Sequence, residues 1–96
     1  MKINNKRYKI PELNFNTICM LEEMGVQLPE IDKRIFSTIR GFVALAMDGD
    51  FEKAGKEIEE HIKNGGSFDE ILEEITSAVE GSGFFQTINN IYNQEG

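Results

Sequence analysis

One histidine, one cysteine and two serines set beside glycine are the residues of this chain best suited to chemistry. An imidazole-based acid–base or metal site would have to use His61, with Glu57 one turn before it and Glu60 and Lys63 close in sequence. Zinc draws three or four ligands from Cys, His and carboxylates, so a single His among surface glutamates is a poor start for a metal site. A half-buried, hydrogen-bonded histidine at the edge of the core is the better reading. Cys19 lies among Ile18, Met20 and Leu21, with no basic neighbour or helix N-terminus to activate it, and reads as an inert packed thiol. A serine triad built on Ser67 or Ser82 would need His61, and neither serine sits in a nucleophile motif. Asn64-Gly65-Gly66 and Gly81-Ser82-Gly83 neither follow a hydrophobic strand nor lead into the Gly-Lys-Ser/Thr of a phosphate loop, so they punctuate helices. The expectation is a non-enzymatic protein without cofactor or metal; a subunit whose catalytic site is completed elsewhere is the catalytic alternative.

The elements that carry these residues are organised around IFSTIRGFVALAM, residues 35–47. Ile35, Ile39, Phe42, Val43 and Ala46 recur at helical spacing on one face, while Phe36, Leu45 and Met47 fall off that stripe. A helix so widely apolar must be covered by its neighbours and is the predicted centre of the core. Arg40, its one strong charge, either snorkels to water or pairs with a carboxylate. Before it, residues 1–10 form a predicted β-ribbon turned at Asn4-Asn5, too small to stand without support. Asn14 or Asn16 caps a first helix that stops at Gly25, with Phe15, Ile18, Cys19 and then Leu21 or Glu22 on its buried face. A connector with Pro29 spans Val26 to Asp32.

After the turn Asp48-Gly49-Asp50, Asp50 caps a third helix, Phe51 to Lys63, with Ala54, Ile58, His61 and Ile62 inward. Ser67 and Glu70 have the spacing of a capping box for a fourth helix, whose stripe is Phe68, Ile71, Leu72, Ile75, Ala78 and Val79. Gly81 and Gly83 break or loosen the chain before a last stripe of Phe84, Phe85, Ile88, Ile91 and Tyr92; residues 93–96 are an expected frayed end. The fold class is mainly α: one domain over residues 1–96, with a β-ribbon at 1–10 and a bundle of four to five helices over 14–92.

A net charge of −7 over 96 residues argues against several classes of partner. Lys2, Lys6, Arg7 and Lys9 all precede the first acid, Glu12, and no Lys or Arg follows Lys63. Nucleic-acid binders cluster basic side chains against phosphate, and anionic membrane surfaces attract the same charge; the acidic balance of the chain argues against both. The longest apolar run, Phe42 to Met47, is far below the roughly 20 residues that cross a bilayer. One cysteine precludes an internal disulfide and fits a reducing compartment, so a cytoplasmic protein is expected.

The succession NFNTICMLEEMG (residues 14–25), Ile39-Arg40 with VALAM (43–47), AGKEIEEHIKNGG (54–66) and GSGFFQ (81–86) resembles the tail assembly chaperones of long-tailed bacteriophages and prophages of Gram-positive hosts. The resemblance extends from about Phe15 to Gln86, and residues 61–66 and 82–85 are its more distinctive parts. It implies a chaperone that binds the long hydrophobic tape measure protein in the host cytoplasm and helps recruit tail-tube subunits. Such chaperones are generally left out of the finished virion. In many phages a programmed frameshift makes a longer form whose extension engages the tail-tube protein. Gly81 departs from the expected pattern, in which a continuous helix would place Glu or another strong helix former.

Phe84, Phe85, Ile88, Ile91 and Tyr92, beside an acidic fourth helix, are the candidate partner-binding residues. Such a role needs apolar anchors and a repulsive exterior. Self-association through this stripe is left open. The alternative reading is a small helical scaffold or regulatory module that dimerises and binds a folded partner.

Overall fold

The computed structural model describes residues 1–26 and 34–94 and is mainly helical, with a two-stranded antiparallel hairpin followed by five helices. In the hairpin, β1 (Lys2–Ile3) pairs with β2 (Lys6–Arg7) in the register Lys2 to Arg7 and Ile3 to Lys6. Asn4 and Asn5 make the turn with φ of 51° and 65°, the doubly left-handed form that matches the twist of the strands. So short a ribbon needs tertiary anchors. Ile3 is fully buried, the Lys2 amide donates to Glu70 Oε1 at 2.9 Å, and Asn4 Nδ2 donates to the carbonyl and to Oε2 of Glu57 at 2.8 and 2.9 Å.

Helix α1 (Phe15–Glu23) starts at Asn14, whose side chain accepts from the Thr17 amide while Thr17 Oγ1 accepts from the Asn14 amide. It ends at Gly25, φ 91°, where Val26 N–H reaches the Leu21 carbonyl at 2.9 Å. This left-handed stop folds Val26 back over Leu21, and both are fully buried. Phe15, expected on the buried face, is 66% exposed; the face is carried by Leu21. The expected connector lies, beyond Val26, outside the described residues.

Helix α2 (Ile35–Ala46) is the centre of the core, with Phe42, Val43 and Ala44 fully buried and Ile39, Leu45 and Met47 nearly so. Its first turn is not part of that core: Ile35 and Phe36 are exposed. Gly41 sits where α1 closes on α2, and a Cβ there would fall 2.2 Å from Val26 Cγ2. Helix α3 (Phe51–Lys63) packs most extensively against α2 and starts where Asp50 Oδ1 accepts from the Lys53 amide at 3.1 Å. Only Ala54 of its expected inward positions is fully buried; Ile58, His61 and Ile62 are half-buried. Arg40 lies over the Phe51 ring at 5.5 Å from its centre, a cation–π contact on the exposed side of α2.

Helix α4 (Asp69–Gly81) lacks the expected capping box. Ser67 lies one residue before the cap position, held by Phe68, and its Oγ accepts weakly from the Asp69 amide at 3.3 Å. The Glu70 carboxylate serves the hairpin through Lys2 instead. Helix α5 (Gly83–Gln94) packs against α4, and Asn93 and Gln94, expected to fray, continue the helix. The chain does break between α4 and α5, but at a buried anchor. Ser82 is 1% exposed; its Oγ donates to the Leu13 carbonyl at 2.6 Å and accepts from the Phe85 amide at 3.0 Å. The glycine-loosened joint is therefore replaced by a cap that pins the start of α5 to the segment before α1.

Candidate partner-binding surfaces

The residues that could have done chemistry are occupied with holding the fold. His61 Nδ1 accepts from the Asn4 amide at 3.2 Å, which leaves the ring hydrogen on Nε2, 3.3 Å from the Ser67 carbonyl. Both nitrogens thus join the hairpin, α3 and the connector to α4. The ring lies against Gly66, where a Cβ would come within 2.4 Å of Nε2. Gly66 is placed there by the helix stop, since Gly65 takes φ of 91° and Gly66 N–H reaches the His61 carbonyl at 2.8 Å. A polar cavity of about 440 Å³ opens beside the ring, lined by Lys2, Asn4, Asn5, Glu60 and Glu70 among others. Ser67 presents its carbonyl to His61 while its hydroxyl turns to Asp69, so the two do not form a nucleophile–base pair. Ser82 is enclosed, and Cys19 is half-buried. Among the described residues no group of three or more His, Cys, Asp or Glu is placed to hold a metal ion.

Apolar side chains left in solvent are a different matter. Adjacent helical positions point about 100° apart, and with the first turn of α5 fixed by Ser82 they divide the two phenylalanines. Phe85 turns inward at 9% exposure, and Phe84 turns outward at 40%. Phe84 meets Phe15 of α1 edge to face, with ring centres 5.9 Å apart and planes at 71°. Ile91, two turns along the same face, is 52% exposed, and Ile88 between them is half-buried. The side chain of Tyr92 lies outside the described residues. Of the candidate residues, then, Phe84 and Ile91 are available, Ile88 in part, and Phe85 belongs to the core. Phe15, held out by the Asn14 cap, joins the surface although sequence periodicity assigns it inward.

A second apolar surface lies between α2 and α3. Phe36, Ile39, Arg40, Gly55, Ile58 and Phe68 line an open groove of about 220 Å³. Phe36 is 73% exposed and inclines toward Phe68, with ring centres 6.3 Å apart. Phe51, 48% exposed, lies beneath the Arg40 guanidinium at the side of this groove's Arg40 wall. Sequence reasoning missed this surface. Phe36 and Arg40, one turn apart and both off the core stripe, were the signal that could have found it.

No protein-family model, curated protein or solved structure matches the chain. The described helices include none long and apolar enough to cross a membrane.

Proposed function

We propose that this chain is a non-enzymatic tail assembly chaperone of a long-tailed phage or prophage. It binds the tape measure protein in the host cytoplasm, keeps it soluble and helps recruit tail-tube subunits, in phages that frameshift through a longer form. The observation that carries the reading is the outward aromatic pair Phe84–Phe15, continued by Ile91 and set beside a helix rich in acid. Exposed aromatic anchors are the side chains from which protein interfaces draw most of their energy. An acidic flank keeps such a surface from coalescing with other copies. The sequence resemblance supplies the identity of the client, and the engagement of His61, Ser67 and Ser82 in structural hydrogen bonds agrees with a binding role.

Co-expression with the tape measure protein of a long-tailed phage of a Gram-positive host tests the proposal. Co-purification at a fixed ratio, weakened by Phe84→Ser, is the expected result. A chain that dimerises through this surface and ignores the tape measure protein would instead be the scaffold or regulatory module.

A further inference from the structure

One edge of the hairpin is occupied and the other, among the described residues, is not. Tyr8 N–H donates to the Met1 carbonyl at 2.8 Å, and bonded pairs alternate with unbonded ones along an antiparallel ladder, so Lys2 and Arg7 form an unbonded pair. Their main-chain groups point away from the ribbon at either side. At the β1 edge the Lys2 amide is taken by Glu70 Oε1. At the β2 edge the Arg7 amide, and the Lys9 amide two positions on, have no partner among the described residues. The side chains divide by the same alternation. Met1, Ile3 and Ile10 are buried and Tyr8 is half-buried, whereas Lys2, Arg7 and Lys9 are exposed on the other face. Lys2 stands directly opposite Arg7, a placement of like charges that costs stability. Lys2 borders the polar cavity that Glu60 and Glu70 also line. Lys6, Arg7 and Lys9 make no ion pair with a described carboxylate.

We propose that the β2 edge accepts an extended acidic segment of a partner protein as a third strand. The main-chain groups of Arg7 and Lys9 bond the segment's backbone. Asp or Glu at alternate positions of the segment falls on the face of Arg7 and Lys9, and a β-branched residue between them falls on the face of Tyr8. Glu70 binds at the opposite edge and Glu57 at the Asn4 turn, so the free edge itself is basic. A short acidic segment lying along it feels that charge within the Debye length of roughly 8 Å. A second copy of the hairpin is the poorer occupant, because edge-to-edge pairing would set these basic side chains against their own counterparts. None of these residues belongs to the α5 face, so the edge stands or falls separately from the phage assignment.

The test uses a blocked peptide of about eight residues alternating Glu and Thr, a twin with Lys for Glu, and a control with Pro for Thr that keeps the charge but cannot form a ladder. Titrated into the full chain and followed by amide NMR, the Glu-Thr peptide should shift the Arg7 and Lys9 amides and slow their hydrogen exchange, leaving the amides of α5 unchanged. At low salt the lysine twin should bind about tenfold more weakly, with the gap closing as salt is added. The proline control should also bind about tenfold more weakly, for want of main-chain hydrogen bonds. Arg7→Glu combined with Lys9→Glu should reverse the preference between the glutamate and lysine peptides. The hairpin should persist in that variant, since Lys2 then faces an acid. Equal binding of the Glu-Thr peptide and the proline control would mean attraction without a strand and would overturn the proposal. An unreversed preference in the double variant, or protection at Phe84 and Phe85 in place of Arg7 and Lys9, would do the same. So would tighter binding of a single-stranded oligonucleotide of equal charge, which would assign the edge to phosphate.

Discussion

Replacing Ser82 by alanine separates a pinned α5 from a swinging one. The hydroxyl is buried and makes two hydrogen bonds, to the Leu13 carbonyl at 2.6 Å and from the Phe85 amide at 3.0 Å. Truncation strands the Leu13 carbonyl in a buried position, at a cost of about 1–3 kcal/mol. Loss of the cap on the Phe85 amide adds about 1 kcal/mol. The expected loss is therefore roughly 2–4 kcal/mol, a large part of the 5–15 typical of a whole domain. Urea unfolding should show a lower midpoint with an unchanged slope, and hydrogen exchange should accelerate first at the Phe85 and Gln86 amides. Gly81→Ala supplies the contrast. A Cβ there meets nothing within 4 Å, and the residue closes a helix, so the substitution should stabilise by about 0.5–1 kcal/mol. A Ser82→Ala loss below about 0.5 kcal/mol would refute the anchor, because a buried, doubly bonded hydroxyl cannot be removed that cheaply.

Three further outcomes follow from the same packing. Phe42→Ala, at a fully buried position in α2, should cost about 3–5 kcal/mol in urea unfolding. Gly66→Ala should drive the His61 ring out of its seat and lose about 1–3 kcal/mol; in a His61→Ala background the same change should cost much less, a coupling that a double-mutant cycle measures. Gly41→Ala should lose about 1–3 kcal/mol by wedging α1 from α2, seen as a lower thermal midpoint, unless Val26 is also trimmed to alanine.

Local signals in the sequence carry through where the structure satisfies them locally. Asp50 caps α3 over the expected Phe51–Lys63, Gly25 and Gly65 end their helices left-handed, and Asn4-Asn5 turns the hairpin. The failures are where a distant group competes. The pattern Ser67-x-x-Glu70 invites a capping box, but the Glu70 carboxylate is taken by the Lys2 amide, 68 positions away. Gly81-Ser82-Gly83 looks like a loose joint until the Leu13 carbonyl claims the serine. Periodicity located the helical stripes but could not say which edge of each is covered. Phe15 and Phe36 therefore emerge on the surface, and of the adjacent Phe84 and Phe85 only the second is core. Which side chains of the α5 stripe reach the surface is decided by tertiary packing, not by spacing.

The central claim is that exposed aromatic side chains on α5 and α1 hold an aggregation-prone helical client in solution. Its most direct test is the soluble fraction of the tape measure protein produced alone, with this chain, and with the Phe84→Ser variant, which gives up the edge-to-face contact with Phe15, worth about 0.5–1.5 kcal/mol, and should remain folded by circular dichroism. The account predicts an insoluble client alone, a soluble complex with the wild-type chain, and a marked return to the pellet with the variant. A client that stays insoluble beside the folded wild-type chain would contradict it.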